Sequence, residues 1–206
     1  MNAATGVMPR ATGRAAASRA LDTGLWVFIA VASTLFGLFL TAYVMRMDSA
    51  DWSTIALPPQ LWLSSGLLLA GSVLLQRASA AARAARWPVA QTLLLVGGAC
   101  AMAFIGVQLW AWQSLLAARV MLASNPAASF FYVLTALHGL HVLGGLIAWA
   151  ATMPMVSQPS DDPAGVAQRV ALCARYWHFL LAVWAVLFAV LGWLTPDVVR
   201  FICGKG

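Results

Sequence analysis

Glutamate is absent from this chain, lysine occurs once, at Lys205, and six Asp are the only acids. All six lie outside the long apolar runs, which excludes chemistry built on paired carboxylates within those runs. Charged residues make up 9% of the 206, against 62% hydrophobic, whereas a soluble domain is roughly a quarter charged. With a mean hydropathy of +0.84, a water-soluble globule is excluded. Cysteine is scarce too. Cys100, Cys173 and Cys203 stand far apart with no C-x-x-C pair, so neither a disulfide framework nor a thiolate metal site is built from them.

What the chain does have is arginine set between apolar stretches. The net charge of +6 rests on eleven Arg, placed where anionic lipid headgroups attract them, so the partner they imply is a membrane and not a nucleic acid. Five stretches carry no Asp, Glu, Lys or Arg: 23–45, 52–76, 87–118, 120–160 and 176–196. A helix needs about 20 apolar residues to cross the hydrocarbon layer. The expected fold is therefore all-α, a polytopic bundle of five transmembrane helices at about 24–46, 59–77, 88–115, 129–155 and 174–196. A flexible basic tail, 1–23, precedes the 24–196 membrane domain, and a short C-terminal tail, 197–206, follows it. Small residues four apart, Gly66 with Ala70, Ala99 with Ala103 and Thr135 with Gly139, are expected where helices approach closely.

Orientation follows from the basic residues. Arg10, Arg14, Arg19, Arg77, Arg83, Arg86, Arg169 and Arg175 fall on one side, and Arg46, Arg119, Arg200 and Lys205 on the other. Eight against four places the N-terminus in the cytoplasm and the C-terminus outside. Arg77, Arg83, Arg86 and Arg175 are the candidates for lipid headgroups.

Polar side chains in hydrocarbon are costly unless partnered, which singles out His138 and His141, three apart on one helix face. Heme ligation would need a second imidazole at similar depth. The remaining one, His178, is expected near the cytoplasmic end of the fifth helix, on the order of 10 Å or more from His141 in depth. A proton relay would want carboxylates, and none accompanies these histidines. The reading is structural: both bond backbone or hydroxyl groups of neighbouring helices, with Gly139, Gly144 and Gly145 letting those helices close in. Trp26, Trp52, Trp62, Trp87, Trp110, Trp177 and Trp193 fall near expected span ends as interface anchors. Trp184, inside the fifth helix, is left for packing.

Two segments, Phe130-Phe-Tyr-Val-Leu-Thr-Ala-Leu-His-Gly-Leu-His-Val-Leu-Gly-Gly145 and Tyr176-Trp-His-Phe-Leu-Leu-Ala-Val-Trp-Ala-Val-Leu-Phe188, resemble the last two helices of subunit III of the heme-copper terminal oxidases. Leu61-Trp-Leu-Ser-Ser-Gly-Leu-Leu-Leu and Gly106-Val-Gln-Leu-Trp-Ala-Trp-Gln113 are similar to the family's two helices between its first and these last. The likeness runs over roughly Leu25 to Leu194, in the shorter five-helix bacterial form, whose N-in, C-out topology agrees with the arginine count. Where the family often carries a Glu in the first of these helices, this chain has Ser33 or Thr34, and Leu180 and Leu181 stand where an acid is common after Y-W-H-F.

The resemblance implies an accessory subunit, itself neither catalytic nor cofactor-bearing, of an oxygen-reducing, proton-translocating complex in the bacterial inner membrane. Subunits I and II would carry heme and copper. This chain would stabilise the catalytic subunit and hold phospholipid, with His138, Gly139, His141, Gly145, Tyr176, Trp177, His178 and Trp184 as structural motif residues. An accessory subunit of nitric oxide reductase shares these helix motifs and is the nearest alternative. From another class, a small transporter or a heme-anchoring cytochrome could use the His pair, although the internal repeat or broken helices common in transporters are not found.

Overall fold

A computed structural model describes residues 9–47, 49–120, 125–158, 161–196 and 198–199, with the backbone alone over 9–18. Five helices make up the regular structure of these residues: α1 (Pro9–Arg46), α2 (Gln60–Arg83), α3 (Trp87–Ala117), α4 (Pro126–Ser157) and α5 (Pro163–Trp193). No strand occurs among them. Each of the five contains a segment long and apolar enough to cross a membrane.

α1, α2 and α5 outrun their charge-free stretches, whereas α3 and α4 lie within theirs. α1 starts at Pro9 and not at 24, because the Ala- and Arg-rich segment before it is made of good helix formers. Most of the segment expected as a tail is thus helical, while residues 1–8 lie outside the described part. α5 starts at Pro163 and not at 174, because Asp162 caps it by accepting from the Gly165 N–H at 3.1 Å. Asn125 caps α4 in the same way, accepting from the Ala128 N–H at 2.9 Å; a polar cap followed by proline in the first turn is a strong helix start. The expected C-terminal tail lies outside the described residues, Val198 and Val199 apart.

Two turns show why the bundle can be so tight at its ends. Ala85 and Arg119 adopt positive φ, 55° and 62°. After α2, the Arg86 N–H bonds the Ala81 carbonyl at 2.9 Å and the Ala85 N–H bonds that of Ala82 at 3.0 Å. Val120 with Leu115 and Arg119 with Leu116 repeat the pattern after α3, each at 3.0 Å. This paired closure satisfies the last carbonyls of each helix without a glycine.

α2 packs on α3 and α5, α3 on α4, and α4 on α5, which closes a ring of four helices; α1 lies outside it across α4 and α5. Leu68, Phe104, Phe131, Trp177, Leu180 and Trp184 fill the ring and are buried. Only 11% of the apolar window of α1 is buried, against 28–39% in the other four, so α1 touches the ring along one narrow stripe centred on Ala32, Phe36 and Tyr43.

The close approaches are not the expected ones. A Cβ on Gly66 or Gly139 would meet nothing within 4 Å, and Ala70, Ala99 and Ala103 are exposed. Small residues recur on every face of these helices, so spacing alone did not select the packed ones. Between α2, α3 and α4 the packed glycines include Gly71, whose Cβ would stand 3.3 Å from the Gly97 carbonyl oxygen, and Gly98, whose Cβ would stand 2.3 Å from the Trp149 ring. Trp149 is held there by its indole N–H, which donates to the Leu94 carbonyl at 2.8 Å. Gly98→Val should therefore force the indole out and destabilise the chain by about 1–3 kcal/mol, read as a lower unfolding temperature in detergent, while Gly139→Ala should leave it unchanged.

Candidate functional site

Of the expected motif residues, Gly145, Tyr176, Trp177 and the backbone of His141 meet along the seam between α4 and α5. Gly145 is the point of closest approach: a Cβ there would stand 3.0 Å from Tyr176 Cε1 and 3.3 Å from Leu180 Cδ1 and Trp177 Cζ2. Tyr176 then donates its hydroxyl to the His141 carbonyl at 2.9 Å, across from α5 to α4. A Cβ on Gly144 would stand 3.8 Å from the same hydroxyl. Gly139, by contrast, takes no part in this approach.

The three histidines face three different environments. His138 is 1% exposed and points into the ring, with its imidazole 5.2 Å from the Trp184 ring, 5.7 Å from Phe104 and 6.4 Å from Phe36. Neither of its ring nitrogens has a hydrogen-bond partner among the described residues. His141 turns toward α1, between Phe28 at 5.8 Å and Phe36 at 5.3 Å. Its Nδ1–H donates to the Leu137 carbonyl at 2.7 Å, a bond within α4 and not the expected bond to a neighbouring helix. Phe28 and Phe36, the α1 side chains against this ring, offer no hydrogen-bond acceptor.

His178 faces α2. Its Nε2–H donates to Gln76 Oε1 at 3.1 Å, and Nδ1 receives the Ser72 hydroxyl. One neutral tautomer satisfies both bonds. The expected depth gap is smaller than the sequence spans implied. Trp177 and Leu180 pack at Gly145, so His178 lies near that level, about one helical turn or 6 Å from His141. Because α5 begins eleven residues earlier than expected, His178 falls mid-helix. What separates the two imidazoles is the opposite seams they face, α1 for one and α2 for the other.

The tryptophans need a second correction. Trp177 is fully buried in the middle of α5 and anchors no span end. Trp184 does pack, and its indole N–H also donates to Ser65 Oγ at 2.9 Å. Trp112 donates to Thr135 Oγ1 at 3.1 Å. The residues missed are thus mostly hydrogen-bonding partners on α2, where Ser65 and Gln76 accept and Ser72 donates; they follow at i, i+7 and i+11, one face of a helix. That spacing was the available signal.

Among the lipid-headgroup candidates, Arg175 pairs with Asp22 of α1 and lies 5.6 Å over the Trp26 ring. Arg83 donates to Ser79 at 2.8 Å, and Arg77 and Arg86 are exposed. Close by, α1, α4 and α5 leave a groove of about 430 Å³ lined by Leu21, Leu25, Phe28, Gly144 and Tyr176, with Arg169 among its lining residues. No cluster of three His, Cys, Asp or Glu side chains occurs among the described residues.

Comparison with curated proteins decides the relationship. A protein of Synechocystis sp. named cytochrome c oxidase subunit 3 is 29% identical over 170 residues, covering 80% of this chain and 72% of the relative. The protein of that name in Thermostichus vulcanus is 27% identical over 176 residues, 84% and 86% of the two chains. This chain is a homologue of cytochrome c oxidase subunit 3. A third subunit 3, from Alkalihalophilus pseudofirmus, matches at 27% over 81% of this chain and 83% of its own length. No family model matches the chain. As a subunit 3 homologue, the chain brings together in space the two segments that carried the resemblance, 130–145 and 176–188, through Gly145, Tyr176 and Trp177.

His178→Leu strips Ser72 and Gln76 of their partner and should cost about 1–3 kcal/mol, an amount reduced where the unfolded chain in a membrane also finds partners. Combining it with Ser72→Ala and Gln76→Leu removes the orphaned groups and should recover part of that loss, measured as unfolding temperature in detergent.

Proposed function

We propose that this chain is the accessory subunit III of a heme-copper terminal oxidase, and the single observation that carries the proposal is homology to cytochrome c oxidase subunit 3 along 72–86% of two relatives' lengths. The chain spans the bacterial inner membrane five times beside subunits I and II, which hold the hemes and copper and reduce oxygen. It contributes no redox ligand of its own. His178 is committed to Ser72 and Gln76, and His141 to its own helix, which supports a role in holding the bundle together over one in electron transfer. Its work is to keep the catalytic subunit stable during turnover.

Holding phospholipid is part of that work. The groove between α1, α4 and α5 is apolar along its length and carries Arg169, a pairing that suits an acyl chain with its phosphate. Arg77, Arg83, Arg86 and Arg175 lie on the same side of the bundle, the side that the positive-inside rule places in the cytoplasm. Tyr176, Trp177, Trp184, His138 and the close-packed Gly145 form the supporting core.

The proposal is tested by purifying a tagged chain in mild detergent from the membranes that express it. Heme-copper spectra and oxygen consumption should follow the tag and be missing from the separated chain. Elution without heme proteins, or with nitric oxide reduction in place of oxygen consumption, contradicts the assignment. Topology has its own check. In a chain lacking Cys100, Cys173 and Cys203, a cysteine at Ser53 should label from outside the cell and one at Ala84 should not; both positions are exposed between helices, and the reverse pattern inverts the orientation.

A further inference from the structure

Among the described residues, Trp52 Nε1, Gln60 Oε1 and Trp177 Nε1 are buried without a hydrogen-bond partner, and one pair of side chains in the bundle interior, Gln108 and His138, has every side-chain polar atom in that state. Gln108 on α3 and His138 on α4 are both buried, at 8% and 1% exposure. Both amide atoms of Gln108 and both ring nitrogens of His138 are without a hydrogen-bond partner among the described residues. The two side chains belong to one level of the bundle. Gln108 stands one turn from Phe104, whose ring lies 5.7 Å from His138. It stands one turn in the other direction from Trp112, which bonds Thr135, three residues before His138. The α3–α4 contacts on either side of Gln108 fall at His138 and Thr135, so Gln108 stands level with the 135–138 turn of α4.

The surroundings supply no rescue. Trp184 covers His138 on one side but spends its indole N–H on Ser65, and the Ser64 hydroxyl, fully buried on α2, is spent on the Leu61 carbonyl. Thr135 donates back to the Phe131 carbonyl. In a hydrocarbon layer each unsatisfied amide or imidazole carries a desolvation cost that bulk water cannot relieve. A neutral imidazole offers one donor and one acceptor, and a carboxamide offers two donors and an acceptor. Water is the small molecule that matches both sets, and buried waters characteristically make about three bonds to such groups.

We propose that Gln108 and His138 form an internal water site that links α3 to α4. At least one ordered water donates to Gln108 Oε1 or accepts from its amide, and bonds a ring nitrogen of His138. On this account the two histidines of the H-G-L-H motif do different jobs: His138 solvates a trapped water in the ring, and His141 seats α1. The site follows from this chain's own geometry and does not depend on which complex it serves.

A structure of the intact complex, at a resolution that displays ordered water, should show density within hydrogen-bond distance of both the Gln108 amide and a His138 ring nitrogen. Absence of such density, or a direct bond between the two side chains, overturns the proposal. The stability of Gln108→Leu, His138→Leu and the double variant tests the sharing independently, since Leu retains bulk at each position. If one water serves both residues, each single variant orphans what remains, and the double variant should lose less in unfolding temperature than the two single losses added together. Strict additivity overturns it.

Discussion

Inside a hydrocarbon layer a polar side chain has only other protein groups, or trapped water, to bond, and that constraint organises the whole interior of this bundle. Trp184 reaches Ser65, His178 reaches Ser72 and Gln76, Trp112 reaches Thr135, and Trp149 reaches the Leu94 carbonyl. Each bond joins two different helices, so each also fixes their rotation about their axes. Apolar contacts cannot do this alone, because a leucine is nearly as well solvated by lipid as by another leucine. The close approach at Gly98 works in the same direction, since it makes the slot that holds the Trp149 indole against α3.

The outer helix obeys a different balance. α1 has few buried residues, yet it is tied at two levels. Phe28 and Phe36 embrace His141, and Asp22 pairs with Arg175 beside Trp26. Both side chains of that ion pair are 41% exposed, so the pair is worth little by itself and serves mainly to orient α1. The groove between α1 and the ring persists because the stripe of contact is narrow, and this leaves room for the phospholipid proposed to lie there.

Much of this was legible before any coordinates. Five charge-free stretches marked five helices, and H-G-L-H together with Y-W-H-F marked the two that meet at Gly145. The helix ends were not legible from charge, because caps set them: Asp162 with Pro163 starts α5 before its charge-free stretch begins, and Asn125 with Pro126 starts α4 inside its own. Trp177 looked like an interface anchor for the same reason: with α5 begun at 174 it stands at an end, and with α5 begun at Pro163 it stands in the middle. The hydrogen-bonding partners on α2 were not recognised as a site. Ser65, Ser72 and Gln76 acquire meaning only when α5 is laid against them, although their common face was there to be seen. Gly66 and Gly139 show the converse, small residues with the expected spacing that face no close neighbour.

The central claim is that these histidines hold a subunit together and carry no electrons. It is tested most directly by mixing the fully reduced complex with oxygen and following its first turnover, in wild type and in His141→Leu and His178→Leu variants that retain this subunit. The account predicts first-turnover rates within about twofold of wild type and a faster loss of activity over many turnovers. An intact variant complex whose first electron transfer is slowed by orders of magnitude would contradict it.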